Sequence, residues 1–427
     1  MKRILISLAL LSTVFISHAL TLAEARNLAM EKYPLVHEYN LIALSEQYTV
    51  DNAAKAWLPQ VGVGTNASWQ SAVAAYPDVL KEMLEQRGLD MKGMSRWQWK
   101  ASVDVEQMIW DGGRVKASQE IAGREAEIDR ISDEVEIYQL QKRIDEIYFG
   151  ILLLGEQQKA LASTIDLLRA NLDKVNALVR NGAAMQSDAD AIEAELLLAG
   201  QQSISVEASQ RAYRSILEIY IGEKAHEIIE IPEVPAIPGT NDCADRPEQK
   251  LMDARKSLLL AKQQQIKSDS RPRIGAFIQG YFGYPGLNFM EAMMSRNPTF
   301  NAMAGVSISW NLGSLYTRKN KLLSLETASE RIDVARNVFD LNTEIQATGQ
   351  RGEIEKLYEL TKSDKAIVEL RQRVRNASEA RLREGIVEPT DLLLRITDEK
   401  NAVISANTHH IQYLKAIYQL QNTLNCN

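Results

Sequence analysis

The sequence predicts a mainly helical protein with a transmembrane β portion. Three observations predict it: two long proline-free tracts, short segments of strict apolar–polar alternation, and tryptophans confined to those segments. Composition agrees, with 45% hydrophobic, 25% charged and only 6% aromatic residues among 427. A formal net charge of −7 disfavours nucleic acid as a partner.

The proline-free tracts, 78–231 and 299–388, hold the longest predicted helices, from Gly113 to Arg180 and from Ser314 to Arg383. Apolar residues recur there at spacings of three and four, as in Leu325, Ala328, Ile332, Ala335 and Phe339. At 1.5 Å per residue such helices reach about 100 Å, more than a compact domain holds, so they must pack side by side in a coiled-coil-like assembly. Shorter helices are expected at about 21–56, 188–225, 246–269 and 390–425. The three prolines of Ile231–Gly239 forbid a continuous helix and mark a linker, placed at 231–245.

The strands are expected at about 58–70, 97–110, 272–283 and 300–311. In the second, Trp97, Trp99, Ala101, Val103, Val105, Gln107 and Ile109 alternate with Gln98, Lys100, Ser102, Asp104 and Glu106. The first and fourth repeat the pattern, while 274–282 is ambiguous. Alternation over about ten residues is the pattern of a transmembrane β-barrel, whose lipid-facing and lumen-facing side chains alternate. All six tryptophans (57, 69, 97, 99, 110, 310) lie in or beside these segments, as an interfacial girdle would. A soluble two-sheet core gives the same alternation and explains the N-terminus less well. Four strands cannot close a barrel alone, so several chains must cooperate.

Lys2 and Arg3, the apolar run Ile4–Ile16 and Ser17-His18-Ala19 read as a signal peptide over 1–19. The run is too short to span a membrane comfortably. The two cysteines, Cys243 and Cys426, are a possible disulfide in an oxidising compartment, with two unpaired thiols as the alternative. His409 and His410 are adjacent on a helix, about 100° apart, and cannot face one metal together. Neither a metal nor a cofactor is expected. With no phosphate loop, nucleophile elbow or HExxH, an enzyme is not expected either.

The chain also reads as two structural repeats, 20–230 and 246–427. Leu58-Pro59 is echoed by Arg271-Pro272, Trp110-Asp111-Gly112-Gly113 by Trp310-Asn311-Leu312-Gly313, and Gly182 with Ser187-Asp188 by Gly385 with Thr390-Asp391. The turns fall at 181–187 and 384–390.

With these landmarks in this order, and the opening Leu20-Thr21-Leu22-Ala23-Glu24-Ala25 leading to Tyr33-Pro34, the mature chain resembles the TolC-like outer membrane efflux proteins. The resemblance implies a homotrimer in outer-membrane lipid. Each chain would give four strands to a twelve-stranded barrel and its helices to a periplasmic α-helical barrel. It implies a passive exit duct for efflux or type I secretion, fed by an inner-membrane pump or ATP-driven transporter through a periplasmic adaptor. The rival is a periplasmic coiled-coil adaptor or structural protein without a barrel. The family's gating tyrosine and arginine are replaced here by Leu382 and Val387, so closure of the entrance must use other contacts.

At that entrance Asp188 and Asp391 are candidates for carboxylate rings, with helix capping as the alternative and Ser187 and Thr390 as the expected N-caps. Gly182 and Gly385 should end the long helices in the left-handed conformation. Arg180, Ala183, Ala184, Arg383, Ile386 and Val387 are the candidate adaptor contacts. Gln98, Lys100, Asp104 and Glu106 should line the barrel lumen, and 71–96 and 283–299 should be extracellular loops.

Overall fold

A computed structural model describes residues 19–88, 92–224, 229–239 and 245–426. Residues 1–18 of the expected leader and Cys243 of the candidate disulfide lie outside them. The chain divides into two units. One comprises Met1–Glu38, Ser132–Lys250 and Asn337–Asn427, the other Tyr39–Ile131 and Leu251–Arg336.

The first unit is helical. It contains α1 (Leu22–Lys32), α5 (Gln186–Ile221) and α9 (Pro389–Leu424), with the later parts of α4 (Arg114–Arg180) and α8 (Gly313–Arg383). No proline interrupts these runs, whereas the expected helix at 21–56 is broken at Tyr33-Pro34, where a short 3-10 turn intervenes. Thr21 caps α1 reciprocally: its hydroxyl accepts the Glu24 N–H (3.2 Å) and the Glu24 carboxylate accepts the Thr21 N–H (3.0 Å).

One core of this unit packs Leu22, Ala25 and Ala29 of α1 against Ile144, Tyr148 and Ile151 of α4, Leu217 of α5 and Leu414 of α9. The alanines let α1 approach closely. The Tyr148 hydroxyl donates within this core, with the carbonyls of Leu20 (2.8 Å) and Glu230 (2.7 Å) as its acceptors, and burial pushes its pKa well above the usual range.

The second unit holds α2 (Glu38–Ala54) and α6 (Pro247–Asp269) over most of their lengths, the early parts of α4 and α8, and one antiparallel sheet. The sheet comprises β1 (Gln60–Trp69), β2 (Trp97–Trp110), β3 (Arg273–Tyr284) and β4 (Thr299–Ser309), in the order β1-β2-β3-β4. Two short helices, α3 (Asp78–Glu85) and α7 (Phe289–Ser295), interrupt the segments read as loops.

The Trp-Asp-Gly-Gly landmark is the junction from β2 to α4. Asp111 is buried and its carboxylate accepts the N–H groups of Gly113 (2.8 Å) and Val115 (2.6 Å), satisfying the first turn of the helix. Gly112 has φ +71°, and a Cβ there would lie 2.8 Å from Arg271 Cβ, so only glycine passes.

Candidate functional site

The register of the sheet sorts every side chain onto one of two faces. Val63, Val103, Gly280 and Ala302 align across the four strands, as do Val61, Val105, Ile278 and Ala304. One face is therefore mostly Val, Ile, Ala, Phe and Trp, with Thr65, Gln107 and Gly280 among them. It is open: Val63 is 80% exposed, Phe300 75% and Ile308 73%. The ambiguous third strand resolves with its even positions, Ile274 to Phe282, on this apolar face and Gln279 and Tyr281 on the other.

The opposite face carries the four residues expected to line a lumen. Gln98, Lys100, Asp104 and Glu106 share it with Ser68, Asn66, Gly62 and Gln60 of β1. The Gln98 and Gln70 amides bond each other (3.2 Å), Ser102 donates to Asp104 (3.0 Å), and Gln279 donates to the other Asp104 oxygen. Lys100 stands 5.7 Å from the centre of the Tyr281 ring.

Strand alternation alone puts Trp110 on the polar face. The structure moves it, because the β2–β3 register shifts between Met108 and Trp110 and pairs Trp110 with Ile274 of the apolar face. The aromatics then fall in two groups. Trp69 and Trp97 are direct partners at one end, where Trp99 meets Phe282 edge-on at 5.9 Å, and Trp57, Trp110 and Trp310 mark the other. Eleven residues of tilted strand separate Trp99 from Trp110, roughly 25–30 Å along a membrane normal, close to the height of a barrel's apolar band. Among the described residues no helix is long and apolar enough to cross a membrane.

The paired turns are in the first unit and share one apolar cluster: Leu168 and Val175 of α4, Ala189 and Ile192 of α5, Leu382 of α8, Leu392 and Ile396 of α9. Their geometry is the same. Gly182 donates to Val179 O (2.9 Å) and Ala183 to Leu178 O (2.8 Å), while Gly385 donates to Leu382 O (3.0 Å) and Ile386 to Arg381 O (2.9 Å), each glycine being left-handed.

Leu382 is buried in the cluster and Val387 packs against it. One expectation changes here. The N-caps are Met185 and Glu388 rather than Ser187 and Thr390, because α5 starts at Gln186 and α9 at Pro389. Asp188 has a capping role: its carboxylate accepts the Met185 N–H at 2.9 Å. Asp391 is exposed in the first turn of α9.

Arg180, Ala183, Arg383 and Ile386 are exposed, while Ala184 is half-buried against the cluster. Met185, 73% exposed beside them, was missed because only its place in the turn marks it. Lys174 pairs with Glu379 (2.6 Å), Arg375 with Glu399 (2.6 Å) and Lys400 with Glu195 (3.1 Å), joining α4 to α8, α8 to α9 and α9 to α5. His409 faces Asp364 (3.0 Å), and no cluster able to hold a metal occurs among the described residues.

Two predictions follow from the turn geometry. A Cβ on Gly385 meets open space, so Gly385→Val is expected to lose about 1–2 kcal/mol through its backbone alone, whereas Gly349→Ala, inside α8 with equal room, should gain about 0.5–1 kcal/mol. Thermal melting of the helical signal reads both signs. The hydrogen bond from Lys174 holds the Glu379 carboxyl below the usual glutamate range. A lowered folded pKa stabilises above the unfolded value near 4.3 and is lost as pH falls through the folded pKa. Limited proteolysis at the turns should therefore accelerate below about pH 4.3, and Glu379→Gln should remove that pair's share of the acid dependence.

An open apolar sheet face with two aromatic ends is the pattern of strands that face lipid. Residues 34–223 match the sequence model of the outer membrane efflux protein family, which bears out the resemblance read from the landmarks. Solved structures share the fold over nearly the whole chain. VceC from Vibrio cholerae, an outer membrane protein, is 13% identical with TM-score 0.67, over 94% of this chain and 95% of that one. The MtrE outer membrane channel of Neisseria gonorrhoeae is 14% identical, with TM-score 0.67 over 94% and 88%. The Campylobacter jejuni CmeC outer membrane channel is 13% identical, with TM-score 0.65 over 94% and 85%. No curated protein sequence matches the chain.

Proposed function

We propose that this chain is one protomer of a homotrimeric exit duct in the outer membrane, serving a tripartite efflux system. The observation that carries the reading is the apolar face of a sheet whose outer strands, β1 and β4, each keep an unpaired edge among the described residues. An exposed edge in lipid leaves backbone groups without partners, so the sheet must close, and copies of the same chain supply the missing strands. Three protomers give twelve strands, with Gln98, Lys100, Asp104 and Glu106 in the water-filled lumen. Substrate passes by diffusion, and no catalytic step is needed.

The turn site is the proposed periplasmic entrance. Of its two aspartates, Asp188 is engaged in capping, so Asp391 is the better source of a carboxylate ring attracting cations. A periplasmic adaptor, handing on cargo from an inner-membrane pump, docks on the exposed residues Arg180, Ala183, Arg383 and Ile386, with Met185 beside them. A signal peptide over 1–19 delivers the chain to the envelope. Type I secretion uses the same duct geometry, and the partner genes decide between the two cargoes.

Fractionation and planar bilayers test the reading. The protein is expected in the outer-membrane fraction, released by detergent, and conducting in bilayers. Recovery in the soluble periplasmic extract would return the rival, a coiled-coil adaptor without a barrel.

A further inference from the structure

We infer that the polar face of the sheet carries a binding pocket for an amphipathic aromatic anion, in which the Lys100 ammonium meets the charge and the Tyr281 and Phe289 rings meet the apolar part. The inference rests on the lumen reading above. The cavity measures about 360 Å³, within the range of small-molecule sites, and is also lined by Asn66, Gln98 and Met303. Glycines let the backbone pack closely beside it. Gly283 is the register partner of Lys100, and a Cβ there would lie 2.3 Å from Trp99 O; a Cβ on Gly286 would lie 2.2 Å from Thr299 Oγ1.

The charge in this pocket is unbalanced. No carboxylate stands within ion-pair distance of Lys100 among the described residues, and the nearest carboxylate along the same strand face, Asp104, is held by Ser102 and Gln279. The Tyr281 ring faces the ammonium without neutralising it. Asn66 and Gln98 add neutral polar groups. Phe289, 57% exposed at the start of α7, presents an open apolar surface. A cation beside two rings and a methionine selects ligands that combine a carboxylate or sulfonate with a flat apolar body.

Equilibrium dialysis of the detergent-solubilised full chain with 2-naphthalenesulfonate tests this, using a detergent blank for micelle uptake. The wild type and Lys100→Arg should bind the probe, with 2-naphthol bound more weakly and inorganic sulfate failing to compete. Lys100→Gln should weaken binding about tenfold. Equal binding by Lys100→Gln and wild type, or no binding by the wild type, overturns the inference. In planar bilayers the probe should reduce the wild-type current and leave that of Lys100→Gln nearly unchanged. Absence of any wild-type current would instead overturn the duct reading, and the dialysis result would still decide the pocket.

Discussion

Replacing Asp145 by alanine is expected to destabilise the protein by about 3–5 kcal/mol. Asp145 lies in α4, 1% exposed, and accepts two bonds from Arg26 of α1, Nε to Oδ1 at 2.6 Å and a terminal nitrogen to Oδ2 at 2.5 Å. The Asn422 amide of α9 donates to the same carboxylate, and the Arg26 guanidinium lies 5.6 Å from the centre of the Tyr418 ring. Removing the carboxylate leaves a guanidinium with most of its surface buried and its charge unpaired. That penalty exceeds what the pair itself contributes. The double replacement Arg26→Met with Asp145→Leu should therefore cost less than Asp145→Ala alone, and thermal melting of the wild type, Arg26→Met, Asp145→Leu and the double variant checks the sign of the coupling. Equal losses in the single and double variants would mean that packing, not the stranded charge, sets the cost.

The second large effect belongs to the sheet. Ile278→Arg puts a charge at the middle of the apolar face and is expected to cost about 2–4 kcal/mol, the depth-dependent penalty of arginine at a bilayer midplane. Ile278 is 58% exposed, so nothing inside the protein clashes with a longer side chain. The loss arises from lipid. Ser307→Arg, on the polar face of β4, should be tolerated, because its side chain enters water. The yield of detergent-extracted protein from outer membranes reads the contrast: a soluble protein with an open face would tolerate Ile278→Arg as well as Ser307→Arg.

Much of this architecture was legible in the residues because it depends on periodicity and on breakers. The proline gaps located α4 and α8, and the alternation at Trp97–Glu106 gave the two faces of β2 directly. The paired Asn-Gly and Glu-Gly turns gave the left-handed ends at Gly182 and Gly385, since helix termination there is local backbone chemistry. What was missed depends on neighbours. The phase of β3 was hidden because Phe277 and Tyr281 sit among glycines on the polar face, and only pairing with β2 and β4 assigns them. The bulge before Trp110 leaves no mark in the sequence. Leu382 and Val387, at the family's gate positions, pack in or against the cluster built by Leu168, Ile192 and Leu392, a contact that no local pattern marks. The helices α3 and α7 lie between strands and are too short for periodicity to separate them from loop, although Asp78–Glu85 has a helix-like apolar spacing at Val79, Leu80 and Met83.

Closure of the open sheet by copies of the same chain is the central claim, and inter-chain cross-linking tests it most directly. With Cys243 and Cys426 replaced by serine, cysteine pairs, one on the outer edge of β1 and one on that of β4 in the same chain, should form disulfides between β1 of one protomer and β4 of the next, at registers that preserve the antiparallel ladder. A ladder on non-reducing gels that ends at three chains is expected. Products confined to one chain, or a ladder running on past three, would contradict it.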